Sequence, residues 1–401
     1  MHLTSLSISN FRIFKRLEVE LPRQVLLLAG DNAQGKTSFL EAIHLFATLT
    51  SLQAQSDRQL INFIALKENM PVGRLVAKFK RTDGDHNMEI RLILEPGING
   101  NSRLRKEVLV DGVKRNLQEA LGQFNSVIFL PQMMRILEGG PEERRRYLDM
   151  ALAQALPGYA RTLVDYNQAL SQRNALLKQL KDNNGNPDQL KYWDETIAKY
   201  GAFIIQNRIH TIHELDLLAG EQYKILTNEK EALQIIYLPA FNPLLYFTSQ
   251  QESNISTPIQ KREIGLDDIR SGFENELKEL RNEEIARGVT TIGPHRDDLC
   301  AHSNGIDLGM YGSRGQIRSA ILSLKLAELN WLKGKASEWP ILLLDETLVE
   351  LDIQHRANFL NAIRNCDQAI LTTTDLHLFP VEFVQHCTVW QMANGQVDTV
   401  V

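Results

Sequence analysis

A glycine-rich loop near the start of the chain constrains the fold more than any other feature. Residues 30–37 read Gly-Asp-Asn-Ala-Gln-Gly-Lys-Thr and match the phosphate-binding pattern G-x-x-x-x-G-K-[ST] at every fixed position. The apolar run 25–29 precedes them as a buried strand, and residues 37–46 follow with helical spacing. A loop between such a strand and a helix start surrounds phosphates with backbone N–H groups. The sequence therefore predicts a nucleoside triphosphate site, with a chance glycine turn as the alternative.

The residue types in this loop suit phosphate binding. Gly30 and Gly35 allow a tight turn, Lys36 directs a positive charge toward the β- and γ-phosphates, and the Thr37 hydroxyl can bind Mg²⁺. The loop residues expected to contact the nucleotide are Gly30, Asp31, Asn32, Ala33, Gln34, Gly35, Lys36, Thr37 and Ser38.

A second motif supplies the acids that such a site needs. Residues 340–346 form a short apolar strand that ends in Asp345 and Glu346, at the sheet edge where α/β proteins bind ligands. We expect Asp345 to hold Mg²⁺ through water and Glu346 to orient or deprotonate the attacking water. Gln132 follows the strand 127–131. It is either a glutamine that couples Mg²⁺ to a helical part of the protein or an ordinary loop residue. The expected catalytic residues are Glu346, Lys36 and Asp345, and the expected metal ligands are Thr37, Asp345 and Gln132.

A third motif, the segment 313–316, supports two interpretations. Ser313 and Gln316 have the spacing of a capping box, which starts a helix. The same residues fit the signature of an ATP-binding cassette, in which a serine hydroxyl and a glycine N–H meet the γ-phosphate held by a second protomer. Asp352 then lies in a D-loop, and Thr374 or His377 is the candidate γ-phosphate sensor. The residues of the trans-acting signature are Ser313, Arg314, Gly315 and Gln316.

Composition restricts the class of protein. The chain has 401 residues, enough for about two or three domains, and its 43% hydrophobic content is typical of a soluble globular protein. The net charge of −5 gives no overall attraction to nucleic acid, so DNA binding would need local basic patches. Cys300, Cys366 and Cys387 lack metal-ligand spacing and are expected to be reduced thiols. With no apolar run near ~18 residues and no leader, we expect a cytoplasmic protein without a membrane partner.

The pattern of predicted elements changes twice along the chain. Strands dominate residues 1–140, helices dominate 141–288, and mixed α/β character returns in 289–401. We expect one ATPase lobe made from both chain ends, with the phosphate-binding loop in a mostly antiparallel N-terminal sheet, and an inserted helical lobe. Within the inserted lobe, residues 163–204 predict a short antiparallel coiled-coil hairpin and 266–287 a single amphipathic helix.

These motifs, in this order, resemble the RecF family of recombinational-repair ATPases. Two positions depart from that family, which often has glycine where Ala33 stands and a second aspartate where Glu346 stands. The fold class that the resemblance implies is an α/β ABC-type ATPase head, a P-loop NTPase, with an inserted helical lobe. The matching segments are residues 10–12, 30–37, 40–43, 129–131, 140–149, 293–298, 313–316, 325–328 and 344–352.

The resemblance also implies a function. It implies ATP and Mg²⁺ as cofactors, an ATP-dependent homodimer that sandwiches two nucleotides, and slow, DNA-stimulated ATP hydrolysis. It further implies binding to DNA at single-strand/duplex junctions, work with RecR and RecO to load recombinase at gaps, and a role in replication, recombination and the SOS response. By the same analogy, Arg12 would reach the nucleotide phosphates.

DNA contacts have the weakest basis in the sequence. Arg144, Arg145 and Arg146 begin the inserted lobe, but such basic runs are usually solvated faces, and the DNA contact is a hypothesis.

Residues 295–298 are interpreted as a structural turn. Alternative functions are an SMC-type ATPase, for which the insertion is too short, a transporter subunit, and a DNA clamp that uses ATP only as a dimerisation switch. Further basic candidates in the β section are Arg103, Arg105, Lys106, Lys114 and Arg115.

Overall fold

The chain forms two compact units. The first comprises Met1–Met133 with Lys325–Val401, and the second comprises Met134–Leu324. The second unit is thus longer at both ends than the inserted lobe predicted at 141–288. This division rests on packing alone and says nothing about function. The assignment of residues 1–140 and 289–401 to an ATPase lobe therefore stays a prediction. The computed structural model describes residues 1–96, 102–182, 185–244, 259, 263–347, 351 and 353–400.

Helices and strands occupy most of the described chain. The strands, in chain order, are β1 (His2–Phe11), β2 (Phe14–Glu20), β3 (Gln24–Ala29), β4 (Val72–Arg81), β5 (Gly84–Pro96), β6 (Ser102–Val110), β7 (Val113–Arg115), β8 (Ser126–Phe129), β9 (Leu233–Leu238), β10 (Asp298–Ser303), β11 (Ile306–Asp307), β12 (Ile341–Leu344), β13 (Gln368–Thr373), β14 (Thr388–Ala393) and β15 (Gln396–Val400). The helices are α1 (Lys36–Thr48), α2 (Leu117–Ala120), α3 (Arg135–Glu138), α4 (Pro141–Ala155), α5 (Tyr159–Lys181), α6 (Leu190–Leu226), α7 (Leu266–Glu279), α8 (Arg281–Arg287), α9 (Leu308–Tyr311), α10 (Arg314–Ala336), α11 (Ile353–Ile363) and α12 (Val381–Gln385).

The strands of the first unit form two separate sheets. One is antiparallel in the order β2-β1-β4-β5-β6-β7, and the other has the order β15-β14-β3-β13-β12-β8. In the second sheet, β3 lies parallel to both β13 and β14, and β12 lies parallel to β13 and β8. The prediction that the phosphate-binding loop sits in an antiparallel N-terminal sheet is therefore wrong. The neighbours of β3 come from the C-terminal part of the chain, which local sequence pattern cannot reveal, although a continuous apolar run is typical of parallel strands.

The strand and the helix on either side of the loop, β3 and α1, are anchored in the hydrophobic core. Leu26, Leu27 and Leu28 of β3 are fully buried, as are Phe39 and Ile43 of α1. Each such side chain contributes about 1.5–3 kcal/mol by leaving water, so the two ends of the loop are firmly placed.

The antiparallel sheet contains the hairpin that the sequence predicts at Asp-Gly. Residues 111 and 112 both have positive φ, as a type I′ turn requires.

The second unit is mostly helical. Helices α5 and α6 pack together around a cluster of leucines that includes Leu177 and Leu190, and whether they supercoil stays a prediction. Arg173, which interrupts the apolar stripe, is fully buried and pairs with Asp194 at 2.8 Å. The single helix predicted for 266–287 is wrong: it divides into α7 and α8 at Leu280, whose ψ of −3° departs from the roughly −42° of a regular α-helix. None of the helices in the described residues is both long and apolar enough to cross a membrane.

Candidate nucleotide-binding site

The phosphate-binding loop connects β3 to α1. Gly30 has φ 157° and Gly35 has φ 109°, and a Cβ on Gly30 would collide with the carbonyl oxygen of Met392. Both positions therefore need glycine. The middle of the loop is fixed from the side because the backbone N–H of Asn394 donates a 2.6 Å hydrogen bond to the Gln34 side chain. The Gln34 contact therefore helps to define the shape of the loop.

Ala33 occupies a strained position in the loop. Its φ of 63° lies in the left-handed region, where a Cβ costs roughly 1–2 kcal/mol. This is the position at which the sequence departs from the resemblance by lacking glycine. Asp31, Asn32 and Ala33 are exposed, whereas Ser38 at the start of α1 is half-buried.

Lys36 lies among oxygen atoms of its own loop. Its side chain is 4% exposed, and Nζ donates hydrogen bonds to the carbonyl oxygens of Gly30 at 2.7 Å and Asp31 at 2.9 Å. The same nitrogen is 3.3 Å from a carboxylate oxygen of Glu346, which has φ 47° directly after the acidic strand. The structure thus brings the predicted lysine and the predicted catalytic acid together.

Thr37, Asp345 and Thr372 form a chain of hydrogen bonds across the second sheet. The Thr37 hydroxyl donates to one Asp345 oxygen at 2.8 Å, and the Thr372 hydroxyl donates to the other at 2.8 Å. Burial raises the pKa of Asp345 above its ordinary value, and the bonds from Thr372 and Thr37 oppose that rise. Oxygen atoms of a hydroxyl and a carboxylate held side by side are ligands that Mg²⁺ prefers, so the residues fit this ion.

Arg12 lies close to the loop but is committed to another partner. Its guanidinium makes two parallel hydrogen bonds to Glu41 of α1, at 2.7 and 2.8 Å. Ser51 donates a third bond to the same carboxylate at 2.5 Å. Glu41 is one helical turn beyond Thr37, so this contact fixes Arg12 beside the helix that carries the loop. The contact of Arg12 with phosphate, implied by the resemblance, stays a prediction.

The remaining residues predicted for this site occupy the expected strand ends. Gln132 is exposed three residues beyond the end of β8, the neighbour of β12. Thr374 and His377 are exposed beyond β13, the strand between β3 and β12. Asp352, the predicted D-loop residue, lies outside the described residues, as do residues 348–350.

Sequence reasoning missed two residues of this site. Thr372 bridges the acidic strand to β13, since its hydroxyl donates to Asp345 and accepts from the backbone N–H of Glu346 at 3.0 Å. The run of threonines that ends β13, next to the acidic strand, was the available signal. Glu41, the partner of Arg12, gave no signal because a charged residue early in a helix is common.

The predicted signature segment lies in the second unit and forms a capping box. The Ser313 hydroxyl accepts a hydrogen bond from the backbone N–H of Gln316 at 3.2 Å, and the Gln316 side chain accepts from the N–H of Ser313 at 3.1 Å. Ser313, Arg314 and Gly315 are exposed at the start of α10. Gln316 also donates to Glu231 at 3.3 Å. The capping interpretation is thus present, and the exposed helix start leaves the phosphate interpretation available.

Arg144 and Arg145, two of the arginines proposed for DNA binding, contact the segment 295–298. Arg144 makes two hydrogen bonds to Asp298, at 2.5 and 2.9 Å, and its side chain is 13% exposed. Arg145 donates to the backbone oxygen of Asp297 at 2.7 Å. Only Arg146 of the run is exposed. The acceptors of these hydrogen bonds, Asp297 and Asp298, belong to the segment 295–298 that is interpreted as a structural turn.

A buried ion network stands behind that turn. Arg208 is 1% exposed and pairs with Asp297 at 2.9 Å and Asp149 at 2.8 Å, and Tyr237 also donates to Asp297. His295 lies against Tyr166, and burial lowers its pKa to about 4. Every one of these groups has a structural partner, which supports the structural interpretation of the turn.

Known proteins resemble the whole chain. The family model of the RecF/RecN/SMC N-terminal domain matches residues 2–395. The DNA replication and repair protein RecF of Roseiflexus castenholzii is 35% identical over 407 residues, covering 99% of each chain. That of Halothermothrix orenii is 35% identical over 398 residues, covering 99% of this chain and 98% of the relative.

Solved structures agree. The recombination mediator protein RecF, solved with ATP, superposes with a TM-score of 0.82 at 31% identity, covering 100% of this chain and 97% of the other. An SMC head bound to the C-winged helix domain of ScpA, at 13% identity and TM-score 0.51, shares the fold alone. The predicted fold class, an ABC-type ATPase head with an inserted helical part, is confirmed. The chain therefore belongs to the RecF family.

Proposed function

We propose that this chain is an ATP-driven DNA-repair protein that dimerises when it holds ATP. The observation that carries the proposal is the convergence of Lys36, Thr37, Asp345 and Glu346 at the carboxyl ends of β3 and β12, the two parallel strands on either side of β13. The RecF relative of known structure holds ATP, and nothing in the loop geometry of this chain opposes the same ligand. Work in the cytoplasm, at DNA junctions and with RecR and RecO belongs to the same proposal.

The residues divide the chemistry among them. Lys36 exchanges its bonds to the Gly30 and Asp31 carbonyls for the β- and γ-phosphate oxygens, which are stronger, charged acceptors. Thr37 and Asp345 would hold Mg²⁺, which when bound neutralises charge on the phosphates. Glu346, released from Lys36, orients the attacking water and accepts its proton. Hydrolysis is slow and stimulated by DNA.

ATP acts as a switch because a second protomer completes the site. The exposed hydroxyl of Ser313 and the N-terminus of α10 offer donors to the γ-phosphate held by the partner. Only the triphosphate reaches both protomers, so hydrolysis removes the bridge and releases the dimer. In the dimer, any basic surface that contacts DNA phosphates is present twice. Contacts to phosphates do not read the bases, so binding is independent of DNA sequence. The DNA-bound dimer then helps to load recombinase at gaps.

The test is the molar mass of Glu346→Gln, measured by light scattering with and without ATP and Mg²⁺. Loss of the general base should trap the dimer, so the mass should double only when ATP is present. Ser313→Arg in the same background should abolish the doubling. A mass that stays at one chain, or that doubles without nucleotide, would contradict the switch. ATP hydrolysis by the wild type with and without gapped DNA tests the DNA-stimulated turnover.

A further inference from the structure

Strands β10 and β11 bring together three side chains that the function above does not use. Cys300 and His302 are two residues apart on β10, and Asp307 ends β11. Their donor atoms all lie within 4.8 Å of one another. The spacing of the cysteines along the sequence gave no sign of this cluster, because its other two members are a histidine and an aspartate.

The hairpin fixes the three side chains on one face. Residues two apart on a strand point the same way, and the alternate residues Leu299 and Ala301 are buried at 3% and 1% exposure. His302 is directly paired with Asp307 across the hairpin. The turn between the strands contains Asn304 and Gly305, both with positive φ, which makes the connection short and stiff.

Two of the three donor atoms, the Cys300 sulfur and Nε2 of His302, have the separation that a tetrahedral metal needs, and Oδ2 of Asp307 lies somewhat farther out. The Cys300 sulfur is 3.6 Å from Nε2 of His302, and that nitrogen is 4.0 Å from Oδ2 of Asp307. Zinc bonds of about 2.3 Å to sulfur and 2.0–2.1 Å to nitrogen place those two donors roughly 3.5–3.6 Å apart. Asp307 uses its other oxygen, Oδ1, to accept from the N–H of Gly309 at 2.8 Å, which orients the carboxylate as supporting contacts do at metal sites.

The positive charge of Arg144 opposes the binding of a cation by Cys300, His302 and Asp307. Arg144 lies near enough to interact with both Cys300 and Asp307. Its guanidinium is, however, paired with both oxygens of Asp298. Thiolate, imidazole and carboxylate are the ligand types that select zinc over harder cations such as Mg²⁺.

We propose that Cys300, His302 and Asp307 bind one zinc ion, with water as the fourth ligand. The ion joins β10 to Asp307, the residue that caps α9, and Gly312 alone separates α9 from Ser313. The bound metal therefore stiffens the segment that precedes the start of α10. None of its ligands belongs to the phosphate-binding loop or the acidic strand, so zinc binding is measured without nucleotide.

The experiment measures zinc in the full chain, prepared without a histidine tag, stripped with a chelator and dialysed against Zn²⁺ with excess Mg²⁺. We expect one zinc per chain. Cys300→Ser and His302→Gln should weaken binding by more than about 100-fold, since even supporting residues at metal sites account for roughly 10–100-fold. Asp307→Asn keeps a capping oxygen and should weaken binding less. Cys387→Ser, which removes another partly buried thiol, is the matched control and should keep the ion.

Cobalt gives a readout in the unaltered protein. Co²⁺ in a tetrahedral site with a thiolate ligand should show intense visible bands and a thiolate-to-metal charge-transfer band, and Cys300→Ser should lose the latter. A wild type without stoichiometric zinc, cobalt without the charge-transfer band, or Cys300→Ser that keeps full affinity would each overturn the proposal. The cluster would then be an ordinary His302–Asp307 ion pair beside a free thiol.

Discussion

Thr37 and Asp345 are joined by a 2.8 Å hydrogen bond although 308 residues separate them in sequence. One follows the phosphate-binding lysine and the other ends the acidic strand, so the hydrogen bond brings together the two side chains of the proposed Mg²⁺ site. Thr372 holds the second Asp345 oxygen from β13. The two hydrogen bonds hold the carboxylate in one orientation, and such positioning lowers the cost of binding an ion in a fixed geometry.

Asp345→Asn should separate activity from stability. The amide keeps an oxygen for Thr37 but loses the charge that Mg²⁺ needs, so ATP hydrolysis should fall by at least about 100-fold. Burial disfavours the ionised carboxylate, as the raised pKa of Asp345 indicates, so the free energy of unfolding at pH 7 should stay equal or rise. Urea unfolding and a Mg²⁺ titration of turnover measure the two effects. A variant that is less stable and still active would contradict this role.

Ala33→Gly tests the strain in the loop. Glycine removes the cost of a Cβ at φ 63°, roughly 1–2 kcal/mol, but costs about 0.5–1 kcal/mol in chain entropy. The net change in unfolding free energy should therefore be between about zero and +1.5 kcal/mol, with unchanged ATP affinity. Ala33→Val should instead destabilise by about 1 kcal/mol or more, since a branched side chain tolerates this region poorly. Thermal unfolding of both variants decides, and a destabilised glycine variant would show that the position is unstrained.

Ser313→Asp distinguishes a helix cap from a contact with the partner's phosphate. Aspartate caps as well as serine, so stability should change by less than about 0.5 kcal/mol. A carboxylate facing the γ-phosphate should nevertheless prevent ATP-dependent doubling of mass. Gln316→Ala is the matched control, because it loses a side-chain contact of the capping box and leaves the Ser313 hydroxyl in place. If Ser313→Asp still dimerises with ATP, the segment is no more than a helix start.

Arg144 and Arg146, two positions apart on α4, should behave differently. Arg144→Gln breaks two hydrogen bonds to Asp298 at a site that is 13% exposed and should cost about 1.5–3 kcal/mol of unfolding free energy. Arg146→Glu, at an exposed position, should weaken DNA binding and reduce the salt slope by about 1 or more. Arg16→Glu, 75% exposed and with the same charge change, is the control. DNA titrations at several salt concentrations measure this, and equal effects of Arg146→Glu and Arg16→Glu would remove Arg146 from the DNA surface.

How much the sequence could predict depended on the range of the interaction. The loop, the acidic strand and the capping box are local patterns, so Lys36, Asp345 and Ser313 were found from spacing alone. The partners of β3 come from the other end of the chain, and the pairing that decides parallel or antiparallel leaves no local trace. Arg12 was assigned by analogy to phosphate, whereas its geometry is fixed by Glu41, a contact that depends on how β1 meets α1.

His44 should make stability depend on pH. It is fully buried on α1, its Nδ1 lies 2.9 Å from the Ser126 hydroxyl, and burial lowers its pKa to about 3, with Lys325 acting in the same direction. The folded protein therefore keeps His44 neutral at pH values where the unfolded chain, with a pKa near 6.5, binds a proton. Between about pH 3 and 6.5 the unfolded state holds more protons, so the unfolding free energy rises with pH and levels off above that window.

The contribution of His44 to that slope is about 1.4 kcal/mol per pH unit, the value for one proton. His44→Gln should remove it, so the variant and the wild type should differ less in stability at pH 4.5 than at pH 7. His210→Gln, on the exposed face of α6, is the control and should follow the wild type. Urea unfolding at half-unit steps from pH 4.5 to 8 gives the slopes. Parallel curves for wild type and His44→Gln would mean that His44 takes up its proton within the folded protein.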